Sequence, residues 1–275
     1  MTIPERFGEN LLRGQRPVLL LEADATDPAA TNYAISAFGQ IVNLALEREL
    51  RPPLAHLKAK DGPVDIRVHA QYNPEGITQY NVVPGLMGVI LTLTLIIITG
   101  LAITREQERG TMENLLSTPV RPLEVMLGKI IPYILVGYVQ ISLIVGVSRF
   151  VFNVPIQGNL AMVFAISILF IAANLSVGLT FSTIARNQLQ AMQLSIFFFL
   201  PSMLLSGFMF PFRGMPQWAQ AVGSILPLTH YLRFVRGVML KGAGLDDSWV
   251  HVWPIGVFLV VVLTIGLIRY RNTLE

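Results

Sequence analysis

Cysteine is absent from the 275 residues, so neither a disulfide nor a thiolate metal site can form here, and the compartment stays open. Charge is scarce too. Charged residues make up 13% of the chain and apolar ones 53%, with a mean hydropathy of +0.58. Soluble domains carry charge at roughly 25% of positions, so this composition belongs in lipid. The net charge of +3 is spread thinly, with no basic run of the kind that binds nucleic acid. His56, His69, His230 and His251 lie far apart in sequence without metal-ligand spacing, and no metal site is expected.

The apolar runs show a second absence. Five of them, near 84–103, 131–152, 160–184, 191–211 and 252–268, are long enough to cross a bilayer. At ~1.5 Å per residue, a run of 20 covers ~30 Å, one hydrocarbon thickness. They contain no Asp, Glu, His or Lys, and Arg149, close to the end of its run, is their one formal charge. A proton relay or ion-coupled carrier needs intramembrane ionisable groups, so both are disfavoured. A membrane protease is disfavoured as well, because no His-Glu-x-x-His and no intramembrane aspartate occur. There is no nucleotide-binding Gly-x-x-x-x-Gly-Lys-Ser/Thr; Gly128-Lys129 is followed by Ile130. No catalytic residue is assigned, and a solute moved by this chain would need its work from another polypeptide.

Residues 1–83 read differently. "PVLLLEAD" (17–24) predicts a buried strand, and 27–50 an amphipathic helix opened by Asp27 with Pro28 at its first position. "VDIRVHAQY" (64–72) alternates like a second strand. Two strands and a helix bury too little to stand alone, so this is read as part of a larger α/β domain. The fold class expected is an all-α polytopic membrane protein of five transmembrane helices (84–275), preceded by a partial N-terminal α/β extracytoplasmic domain (1–83). The loops 104–130 and 185–190 with the tail after Ile268 hold seven Lys/Arg, against four in the opposite loops. That bias places the C-terminus in the cytoplasm and the N-terminal domain outside. Either an N-terminal membrane segment is then missing from the chain, which is the simpler expectation, or the protein is inverted, with its N-terminal domain in the cytoplasm.

Between the first two spans stands "REQERGTMENLLSTPVRPLEVMLGK" (105–129), with four basic and four acidic residues. Thr111 can cap a short helix whose first turn suits Glu113. Met112, Leu115 and Leu116 share a face, and Pro119 stops the helix. Two readings stay open: an interfacial connector, or a docking knob for a cytoplasmic partner, built from Arg105, Glu106, Glu108, Arg109, Gly110, Thr111, Glu113, Leu115, Leu116 and Pro119. Gln140 and Asn174 lie near mid-membrane, where interhelical bonding and substrate contact are both open to them. Pro201 predicts a kink in the fourth span, either a gate hinge or a static bend. In 212–251, Trp218, Val222, Ile225 and Leu226 share one helical face; Leu228, Leu232, Val235 and Met239 share another after Pro227. Two short helices dipping into the outer leaflet are expected, as an exit closure or a passive cap, with His230, Arg233 and Arg236 on the second.

The polar loop resembles that of ABC-2 type transporter permeases, in which Glu-x-x-x-Gly-Thr-x-Glu-x-Leu precedes a proline; Glu106, Gly110, Thr111, Glu113, Leu115 and Pro119 match it. "ILPLTHYLRFVRGVMLKG" (225–242) is similar to the family's segment before its last span. "YNPEGITQYNVVPGLMGVIL" (72–91) is similar to the entry into the second span in the bacterial drug-efflux-like subgroup with a large external domain. The resemblance implies six spans, with that α/β domain between the first two, so the chain is expected to lack the first span and half of the domain. It further implies a permease subunit of an ATP-driven exporter of hydrophobic or amphipathic compounds in the bacterial inner membrane. The expected partners are a cytoplasmic ABC ATPase, which would bind ATP and Mg, a second permease as homo- or heterodimer, the lipid bilayer and a periplasmic adaptor protein. A membrane anchor or assembly subunit that transports nothing is the alternative.

Overall fold

The structure, a computed structural model, describes residues 1–13, 15–49, 64–109 and 122–272. The chain divides into two compact units, Met1–Asn81 and Val82–Glu275.

The first unit opens with α1 (Phe7–Leu12), β1 (Val18–Asp24), α2 (Pro28–Glu49) and β2 (Asp65–Gln71). The strands pair in parallel, from Val18 opposite Asp65 to Asp24 opposite Gln71. Parallel neighbours require a crossover connection, and α2 lies within it. The start of α2 is held locally: Asp27 Oδ1 accepts from the Ala30 N–H at 3.2 Å, and the Thr31 hydroxyl donates to the Asp24 carbonyl at 2.7 Å. The expectation of a buried first strand is corrected. Only Leu19 of β1 is buried, while Leu20 and Val68 are exposed, because a two-stranded sheet has one covered face.

The second unit contains most of α3 (Thr78–Glu108), then α4 (Pro122–Phe150), α5 (Leu160–Ile184) and α6 (Gln188–Leu205). A 3-10 turn (Phe212–Gly214), α7 (Gln217–Ile225), α8 (Pro227–Lys241) and α9 (Leu245–Asn272) complete it. Five helices are long and apolar enough to cross a membrane: Thr78–Glu106, Ile130–Phe150, Leu160–Ile184, Gln188–Leu205 and Leu245–Arg269. The count agrees with the five apolar runs, but two boundaries move. The fourth helix stops at Leu205 rather than 211, since Gly207 adopts φ +85° and Ser206 folds back, its Oγ accepting from the Phe208 N–H at 3.3 Å. The fifth begins at Leu245 rather than 252. Asp246 and Asp247 occupy its first turn, where the helix dipole favours acids, so polar residues read as loop belong to the helix.

α5 is central, with α4, α6, α8 and α9 all packed on it. Its N-cap is Asn159, whose side chain accepts from the Ala161 N–H at 2.9 Å. α3 crosses α5 at Gly100 and Gly178. A Cβ added to Gly178 would sit 2.6 Å from the Ile96 carbonyl oxygen and 3.2 Å from the Gly100 nitrogen, so the two backbones touch there. Small residues at helix crossings permit this closeness in lipid, where packing rather than water release drives association.

A second knot ties α3, α5 and α8 together. Tyr231 of α8 is fully buried and stacks on Phe170 of α5, with ring centroids 3.9 Å apart and planes inclined by 4°. Its phenol lies 2.7 Å from Ser167 Oγ and donates to Met87 Sδ of α3 at 3.3 Å. A buried phenol without a partner would be costly, and this one has two.

Candidate functional site

The polar loop enters the structure at its first residues. Arg105, Glu106 and Glu108 end α3, and Arg109 follows it; Gly110, Thr111, Glu113, Leu115, Leu116 and Pro119 lie outside the described residues. Arg105, in the last turn, complements the C-terminal end of the helix dipole. Glu108 instead reaches sideways to the start of α6, 80 residues away. Its Oε1 accepts from the Gln188 backbone N–H at 2.8 Å, and its Oε2 accepts from the Gln188 side-chain amide. The first N–H groups of a helix have no intrahelical acceptor, so a carboxylate from another helix is well placed. Asn187 caps the same end through the Gln190 N–H at 2.8 Å. Together the Gln188 amide and then its N–H hold the Glu108 carboxyl below the usual carboxylate range. The foot of α3 is thereby latched to the foot of α6.

Gln140, Asn174 and Pro201 are not joined to one another. The Thr94 hydroxyl of α3 donates to Gln140 Oε1 of α4 at 2.9 Å, which is interhelical bonding. Asn174 is buried and donates from Nδ2 to the Phe170 carbonyl of its own helix at 2.9 Å, leaving Oδ1 without a partner among the described residues. Pro201 is exposed on α6, which continues past it to Leu205.

The 212–251 segment forms α7 and α8, joined at Pro227. Their joint is tight because α8 side chains satisfy the last carbonyls of α7: Thr229 Oγ1 donates to Gly223 O at 2.6 Å, and His230 Nε2 lies 2.8 Å from Ser224 O. A carbonyl oxygen only accepts, so Nε2 carries the proton in that bond. Burial pushes His230 below its ordinary pKa, the Ser224 bond works against that, and Arg233 adds to it. Both short helices expected in this segment are present, and the second is packed among protein. Eleven of the 15 residues of α8 are buried, Leu228, Leu232, Val235 and Met239 among them. The helices packed around α8 close it in. Trp218 of α7 is 68% exposed. Arg236 donates from Nη1 to the Gly207 carbonyl at 3.2 Å, and the Arg233 guanidinium lies 4.3 Å from the centre of the Phe212 ring. His230 and His251, 21 positions apart, come together with ring centroids 6.3 Å apart. Among the described residues no three His, Cys, Asp or Glu gather as a metal site.

Residues 1–268 match the family described as ABC-2 family transporter protein. The chain belongs to the ABC-2 transporter family. Among relatives of this ABC-2 permease, the probable multidrug ABC transporter permease YbhS of Escherichia coli K12 is 34% identical over 88% of this chain and 64% of its own length. The probable multidrug ABC transporter permease YbhR of the same strain is 29% identical over 97% of this chain and 70% of its own. The inner membrane transport permease YhhJ is 31% identical over the whole of this chain and 73% of its own. The chain thus spans about two thirds of the length of these relatives.

The ABC-2 reading directs attention to the polar loop, yet its latch partner Gln188 escaped sequence reasoning. So did Phe212 and Arg213 beside Arg233, and the Tyr231 knot. Each depends on a contact between distant segments, which periodicity within one helix does not encode.

Proposed function

We propose that this ABC-2 chain is the membrane permease subunit of an ATP-driven exporter, acting with a second permease and two cytoplasmic ABC ATPases. Nucleotide and Mg²⁺ belong to the ATPases, as no phosphate-binding loop is present in this chain. The loop 105–129 faces the cytoplasm and receives the ATPase, the C-terminus lies on that side, and the N-terminal unit is extracytoplasmic, where a periplasmic adaptor would meet it. The cargo is hydrophobic or amphipathic, a reading supported by the names of YbhS and YbhR as probable multidrug permeases. The observation that carries the proposal is the Glu108–Gln188 latch. A push on the loop after α3 reaches α6 at once, through a carboxylate bonded to two donors.

The test is co-expression with the cognate ATPase, followed by co-purification and substrate-stimulated ATP turnover in lipid. Glu113→Arg is expected to cut ATPase recovery about tenfold, the scale of one lost charge-assisted contact. Glu108→Ala is expected to leave recovery intact and weaken substrate stimulation. Unchanged recovery in the first variant defeats the docking role, and intact binding without any transport by the wild type favours the anchor reading.

A further inference from the structure

Two of the chain's histidines, His230 and His251, meet where α8 is pinned to α7, and the exporter reading gives them no task. The last carbonyls of a helix have no intrahelical donor. At the end of α7 two of them are taken by side chains of α8: Gly223 O by the Thr229 hydroxyl at 2.6 Å, and Ser224 O by His230 Nε2 at 2.8 Å. α7 also sits on the end of α6, where a Cβ added to Gly223 would come within 2.5 Å of the Leu205 carbonyl oxygen. α6 starts beside Glu108 and ends at Leu205. The joint therefore lies at the far end of that span from the Glu108–Gln188 latch.

His230 is built to stay neutral. It is only 9% exposed, and its Nδ1 is buried with no partner among the described residues. A neutral ring tolerates that, because Nδ1 then holds only a lone pair. In an imidazolium both nitrogens are donors, and the Nδ1 proton would be buried without an acceptor. Nor is an acid set against it. α9, α5, α7 and α6 pack on α8, with α3 meeting it at Met87 and Gly88 and the 151–159 loop at Gln157. α5, α6, α7 and that loop contain no ionisable side chain. α3 brings Tyr80 in its first turn, its other ionisable residues lying at the opposite end, and the turn before α7 brings Arg213. α9 brings Asp246 and Asp247, both exposed in its first turn, and His251, whose ring centroid is 6.3 Å from that of His230. α8 itself adds the buried Tyr231, then Arg233 three residues on, Arg236 and Lys241. Burial above all sets the folded pKa of His230 beneath its ordinary 6.5. The joint is thus at full strength above about pH 6.5 and loses stability as the pH falls below it.

We propose that the α7–α8 joint is an acid-sensitive clasp: a proton taken up at His230 Nδ1 leaves a buried imidazolium against the His251 ring and one turn from Arg233, and α7 swings away from α8. α7 is the part that moves, because it buries only Ala219 and Gly223 while α8 is held among other helices. Proton uptake needs neither ATP nor an ATPase, so the clasp stands or falls apart from the coupling role of Glu108.

The chain has no cysteine, so two spin labels can be placed without background. The purified full chain, labelled at Val222→Cys on α7 and Leu245→Cys at the start of α9, both exposed positions, is placed in lipid nanodiscs. Distances between the labels are read by double electron–electron resonance at about pH 7.5 and about pH 5, on either side of the ordinary histidine range. One distance is expected at the higher pH. At the lower pH a second is expected to rise roughly tenfold in population, and to vanish again on neutralisation. His230→Gln, whose amide can still donate to Ser224 but does not titrate, is expected to keep the single distance at both. A second distance appearing in acid in that variant, once folded, overturns the proposal, since the proton is then taken up elsewhere. If the variant does not fold, the wild type decides alone. Distances unmoved by acid overturn the proposal, as does a change with its midpoint above about pH 6.5.

Discussion

α7 and α8 are neighbours, joined through one proline, and each shows an apolar face at helical spacing. They meet opposite fates. Of α7, only Ala219 and Gly223 are buried, and the Trp218, Val222 and Ile225 face is left open. α8 is enclosed by α3, α5, α6 and α9, even though Arg233, Arg236 and Lys241 lie along it. An amphipathic pattern therefore states that a face must be covered and leaves the cover unnamed: the chain itself covers α8 and leaves the apolar face of α7 open.

That contrast can be pressed at graded strength by unfolding the purified permease in detergent micelles. Tyr231→Ala should cost about 3–5 kcal/mol, the scale of removing a buried aromatic ring and leaving a cavity, because it empties the space beside Phe170. A loss under ~1 kcal/mol there would mean that α8 is not part of the core. Tyr231→Phe should cost about 1 kcal/mol, since the ring stays and only the hydroxyl bonds to Ser167 and Met87 are lost. Ile225→Ala on α7, at a residue 68% exposed, should shift stability by about 0.5 kcal/mol or less. A cost like that of Tyr231→Ala would place a protein surface, rather than lipid, over α7.

Much of the architecture was legible in the residues. Spans declared themselves by length and lack of charge, and Pro227 divided the two short helices. The ends were harder. Asp246 and Asp247 look like loop to a hydropathy count, yet they suit the first turn of a helix. Phe210 and Pro211 look like the end of a span, yet Gly207 has already turned the chain. The candidate site was legible as a motif but not as a geometry. Glu108 stood out as one charge in a charged loop, and nothing in its neighbourhood pointed to Gln188. Gln140 was an amide with two open uses, and nothing near it in sequence pointed to its hydrogen bond with Thr94 of α3.

The Gly100–Gly178 crossing has a mechanical consequence. Two backbones that touch without side chains between them can turn about each other more readily than they can part, which makes the contact a fulcrum. On α3, Glu108 lies eight residues from Gly100, roughly 12 Å along the axis, and Gly85 lies 15 residues the other way, roughly 22 Å. Moving as a rigid rod, the helix would about double any sideways displacement between its latched foot and its far arm. At Gly85 that far arm lies against Phe208 and Arg236, where an added Cβ would already be in collision. A small stroke delivered at the loop would emerge as a larger one, at the place with the least room to absorb it.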